Sequence, residues 1–193
     1  MTSLKQQGFS QETHLVIYDG DMPAIVNYSD LVASHKGNSW FGCSVGFRAM
    51  QMAAEEFAKQ VSWARGGLYI VSGHPGPGVK DAINLVTQCI SDRSFCLLDE
   101  TVGNHCSRKM RFEWWITNND STIHIELHKG LVPDHFYTLL DRLNTTDEEP
   151  QDKSNFEQYK INLSELIWQQ PLDQLFSVDV LPEKLRAGEL PNA

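Results

Sequence analysis

The longest periodic stretch begins at Gly42, where Cys43, Phe47, Met50, Ala54, Phe57 and Val61 recur at alternating steps of four and three residues. That spacing predicts a long amphipathic helix ending near Trp63. Upstream, residues 15–18 read as a short strand and residues 29–35 as a short helix that Ser29 could cap. Downstream, Gly66 and Gly67 open the unbroken apolar run 68–72, which suits a strand buried on both faces. The turn Gly73-His74-Pro75-Gly76-Pro77-Gly78 must end it. Helical spacing then resumes at Val79, Ala82, Ile83, Val86, Cys89 and Ile90, so a strand, a glycine-rich loop and a helix follow one another.

In the second half, residues 95–99 predict a strand, and residues 110–117 another in which Met110, Phe112, Trp114 and Ile116 face the core. A polar turn at 118–121 and a returning strand at 122–128, with Ile123, Ile125 and Leu127 inward, complete a hairpin. Pro133 suits a first helical position. Phe136, Leu139, Leu140 and Leu143 then give a helix face closing near Leu143. The mixed order predicts an α+β fold with a mixed sheet, a core domain over residues 1–146, and an acidic linker with a C-terminal docking segment over 147–193. In that last segment Tyr159, Ile161 and Leu163 alternate, Leu166, Ile167 and Trp168 form an apolar knot, and Pro171 starts a short helix. Too few apolar residues lie there for an independent core, so the segment is expected to dock on the rest of the chain or on a second copy of it.

Composition sharpens this picture only at the tail. The 193 residues carry 16 Lys and Arg against 25 Asp and Glu, net -9, and residues 147–193 hold 10 of the acids and 4 of the bases. No basic stripe suited to phosphate-backbone neutralisation appears, so neither nucleic acid nor an anionic membrane is an expected partner. The only apolar run near the N-terminus is residues 14–18, shorter than the roughly 7 to 15 residues of a secretory signal, and a cytoplasmic protein is expected. In that compartment Cys43, Cys89, Cys96 and Cys106 read as thiols.

The loop from His74 to Gly78 is the most informative stretch for chemistry. It lies at the carboxyl end of a buried strand and at the start of a helix, where backbone N–H groups can meet an anion. It is no Walker loop, because no Gly-Lys-Ser/Thr closes it. A rigid turn with His74 merely exposed is the competing expectation. His124, Glu126 and His128 resemble a metal cluster, yet alternate residues on a strand sit about 6.8 Å apart, and a solvated face is the better expectation. His105 beside Cys106 could supply ligands from a loop. No Cys-x-x-Cys, His-Glu-x-x-His or Gly-x-Ser-x-Gly occurs.

The run Gly37-Asn38-Ser39-Trp40-Phe41-Gly42-Cys43-Ser44-Val45-Gly46-Phe47-Arg48, together with Asp81-Ala82-Ile83 and Thr87-Gln88-Cys89, resembles the core of the FmdE-like family, named for a component of formylmethanofuran dehydrogenase. Gly37, Gly42, Gly46 and Arg48 match its first motif, Asp81, Ala82, Ile83, Thr87 and Cys89 its second, and Lys109 also fits. The family's reactive positions differ: Asn38 stands where it has a His, and Trp40 and Gly78 where it has Cys. The resemblance implies an α+β core that forms a homodimer. It also implies a divalent-metal-binding accessory protein or enzyme of one-carbon or redox metabolism, with zinc, nickel or iron on the shifted donors His35, Cys43 and His74. The alternative is a metal-free module for an anionic small molecule. There Trp40 and Phe41 would form an apolar wall and Arg48, Gly76, Gly78, Asp81 and Lys109 would line the site.

Overall fold

The computed structural model describes residues 12–59, 63–102 and 106–191. Val61 and His105, two residues of the expectations above, lie outside them. The chain opens with β1 (His14–Asp19) and β2 (Met22–Asn27), an antiparallel hairpin whose two-residue loop is Gly20-Asp21. Leu15, Ile17 and Val26 turn inward, whereas Val16, Met22 and Ile25 stay exposed. A short helix, α1 (Tyr28–Ser34), leads to α2 (Trp40–Ala58). The long helix is therefore preceded by a hairpin and a helix. It also ends before Trp63, which packs back on it with its ring stacked 5.9 Å from Phe57.

The sheet that follows has five strands in the order β4-β3-β5-β6-β7. β3 (Tyr69–Ser72) leads through the glycine loop to α3 (Pro77–Thr87), with Pro77 in the first turn as its fixed φ favours. β4 (Phe95–Leu97) lies parallel to β3, and β5 (Glu113–Thr117), β6 (Thr122–Leu127) and β7 (Phe176–Leu181) add antiparallel neighbours. Between β6 and β7 come α4 (Asp134–Arg142), α5 (Asp152–Gln169) and the single turn α6 (Leu172–Leu175). The fold is thus α+β with a mixed sheet. No helix among the described residues is long and apolar enough to cross a membrane.

Two expectations about surfaces change. From Cys43 to Ala53 α2 is buried on every side, because the sheet, α3 and α5 all pack around it. Ser44 is partnered there: its Oγ lies 2.8 Å from Tyr28 Oη and 2.5 Å from Ser164 Oγ, and accepts from Trp168 Nε1 at 3.1 Å. The second change concerns the outer face of the sheet, which is not simply solvated. Tyr69, Val71 and Trp115 form a small second cluster there, covered by Leu181 and Leu185. His124 stacks on Trp115 at 4.4 Å and meets the buried carboxylate of Glu113 at 3.2 Å.

The C-terminal stretch is woven into these layers. Residues 159–163 are helix rather than an alternating strand, since Lys160, Leu163, Ser164, Ile167 and Trp168 make one buried stripe at helical spacing. β7 then pairs with β6 along six residues.

One contact fixes where the glycine loop sits. α2 and α3 run side by side, start against start, and a Cβ on Gly78 would lie 2.5 Å from the Ser39 carbonyl and 2.7 Å from the Cys43 nitrogen. A Cβ on Gly46 would stand 3.0 Å from both Ala82 Cβ and Val79 Cα. Both neighbours at Gly78 are backbone, so neither can turn aside. Gly78→Ala is expected to lower the free energy of unfolding by about 1–3 kcal/mol despite alanine's better helix propensity. Urea unfolding checks this against Gly66→Ala, where the added carbon meets nothing within 4 Å. Equal midpoints for the two variants would contradict the close contact.

Candidate functional site at paired helix starts

Because α2 and α3 begin together, their positive ends add at one place. Neither start has a side-chain cap, and neither carries an acid in its first turn. Two imidazoles take up backbone N–H groups at the two cap residues instead. His35 Nε2 accepts from the Ser39 N–H at 3.3 Å, while its Nδ1 lies 2.6 Å from Asp81 Oδ2 and donates to it. His74 Nδ1 accepts from the Gly76 N–H at 3.0 Å. These bonds assign the proton of neutral His35 to Nδ1 and that of neutral His74 to Nε2.

His74 is held there by its neighbours on both sides in sequence. Ser72, the last residue of β3, donates through Oγ to the His74 carbonyl at 3.0 Å and accepts from the His74 N–H at 3.1 Å, which turns the chain sharply out of the sheet. The ring packs 4.7 Å from Phe112. A Cβ on Gly76 would touch His74 Cε1 at 2.6 Å and Cys106 Sγ at 2.9 Å, so only glycine lets ring, thiol and helix start share this corner. At 3% exposure the imidazole is driven well below its ordinary value, to about 3, by burial first and by the Lys80 charge second.

Two lysines add positive charge. Lys80, in the first full turn of α3, acts on both His74 and Cys106. Lys160 of α5 donates to the Asn38 carbonyl at 3.0 Å, just before α2, and is balanced in part by Glu157 at 2.6 Å. Burial raises the Cys106 thiol, and the charges of Lys160 and then Lys80 pull it back. These two cations are set against two acids at the same corner, Glu157 on Lys160 and Asp81 on His35.

The residues expected at the site distribute unevenly. His35, Trp40, Cys43, Gly78 and Asp81 gather at the start of α2, with Trp40 half-buried and edge-on to His35 at 5.8 Å. The Cys43 thiol is pushed up to about 12, first by burial and then by the Asp81 charge, so it is held as a thiol. His74 and Gly76 belong to the neighbouring corner with Cys106. Among the described residues no three His, Cys, Asp or Glu side chains come together as a metal ion needs. Phe41 is core, against Phe112 and Phe136, and forms no wall of the site. Lys109 is exposed, with its charge felt at Asp99, and Arg48 is buried two turns down α2. Lys80 and Lys160 were not among the expected site residues. A lysine in a first helical turn, where acids are favoured, is the signal that marks Lys80.

Searches against protein-family models and against curated protein sequences return no match for the chain.

The neutral His74 has a consequence for stability. Its folded value, about 3, lies below the ordinary 6.5, so the unfolded chain takes up the proton first as pH falls. The stabilisation is complete above pH 6.5 and is lost on descent toward pH 3. Between pH 7 and 5 the wild type is expected to lose about 2 kcal/mol more than His74→Gln. Urea unfolding at both pH values measures this, and equal losses would show that His74 is not buried and neutral.

Proposed function

We propose that the chain is a binding module for a small anionic molecule, held where α2 and α3 begin. The observation that carries this reading is the meeting of two helix starts that have neither side-chain caps nor first-turn acids, with Lys80 and Lys160 beside them. Backbone N–H groups and two ammonium groups form a fixed set of donors suited to a phosphate or carboxylate. The half-buried Trp40 offers an apolar edge for the rest of such a ligand. The neutral imidazoles hold the two cap residues without bringing negative charge of their own, so the positive pole is left for the ligand. Asp81, about half exposed and bonded to His35, and Glu157, paired with Lys160, are opposing charges beside the site and favour ligands that approach from the Lys80 side.

Inorganic phosphate is the simplest probe. It is expected to raise the melting temperature of the protein in a saturable way, and Lys80→Gln to weaken its binding roughly three- to ten-fold. No stabilisation, or identical binding by the variant, would overturn the reading. Metal analysis of untagged protein separates it from the metal-bound reading that the resemblance implies: stoichiometric zinc, nickel or iron would favour the latter.

A further inference from the structure

Arg48 is the one cation of the long helix, and the site above has no use for it. It is 2% exposed. Its Nη1 donates to Gln51 Oε1 at 2.9 Å, its Nη2 to the Gln170 carbonyl at 2.7 Å, and its guanidinium lies 5.3 Å above the Trp168 ring. A guanidinium has five N–H groups, so three are left. The one on Nε is sealed from solvent without an acceptor. Among the described residues Arg48 takes part in no ion pair. A buried charge met only by neutral acceptors is costly, because two hydrogen bonds recover only part of the lost hydration.

Arg48 is among the residues lining a cleft of about 790 Å³ between β1, α2 and the start of α6, within the size range of small-molecule sites. The exposed residues around it include the carboxylates Glu12, Glu55 and Asp173 and one ammonium, that of Lys59, which is paired with Glu56 at 2.6 Å. Glu55 stands two helical turns beyond Arg48 and acts on its charge through space. A simple anion would be repelled at this rim before it reached Arg48. A simple cation would be accepted at the rim and rejected below. We infer that the cleft binds a small zwitterion, its carboxylate on the spare Nη N–H groups of Arg48 and its ammonium on Glu55. The acidic rim and the cationic floor then both become satisfied by one molecule, which neither charge sign alone can do.

Calorimetric titration of the full chain near pH 7 tests this with glycine, β-alanine and 4-aminobutyrate, using butyrate and butylamine as single-charge controls. One or more of the zwitterions is expected to bind roughly ten times more tightly than either control. Glu55→Gln, at an exposed position that leaves the Arg48 contacts intact, is expected to lose roughly that advantage. A zwitterion series no better than butyrate or butylamine would overturn the proposal, and so would a Glu55→Gln protein that binds unchanged.

Discussion

The approach of α2 to α3 at Gly78 is the constraint on which the rest of the molecule depends. With a hydrogen in place of a side chain, the first turn of α3 can press on the backbone of the first turn of α2. That brings two positive helix ends to one point, an arrangement that costs electrostatic energy in the folded chain. The same contact holds α3, and with it β3 and the Ser72–His74 turn, in fixed relation to the most buried helix of the protein. Ser44 and Arg48 of that helix bond to the C-terminal segment, so Ser164, Trp168 and Gln170 help hold in place the helix that the site is built on.

Imidazoles are well suited to this corner because a neutral ring can accept from a backbone N–H without adding a negative charge. Burial keeps His74 neutral, and Lys80 reinforces this. His35 achieves the same acceptor role by a different route, with Asp81 receiving its Nδ1 proton. An Asp or Glu at either cap would have neutralised the pole directly. Neither first turn carries one.

Much of the architecture was legible in the sequence wherever one face of an element is apolar. The stripe from Cys43 to Phe57, the run before Gly73 and the hairpin around residues 118–121 all correspond to real elements. What escaped has physical causes. β2 contains Pro23 and Ala24, poor strand formers, and only the Asp19-Gly20 turn signals it. α5 was hidden because two positions of its buried stripe are Lys160 and Ser164, whose polar ends are satisfied by Asn38 and Ser44. At the site, the glycine loop could be found by its turn residues, and His35 only through the family resemblance. The separation of His74 from Cys43 into two corners could not, since it arises from the Ser72 turn and the packing of Phe112. Arg48 looked like an anion partner for the loop, yet helical geometry carries it two turns away to a different cleft.

The central claim is that two helix starts share one anion. Amide chemical shifts recorded during a titration with inorganic phosphate test it most directly. The account predicts saturable changes concentrated at Trp40, Phe41 and Gly42 of α2 together with Gly78 and Val79 of α3, all with one dissociation constant. Changes confined to one helix, scattered over the surface, or absent at saturating phosphate would contradict it.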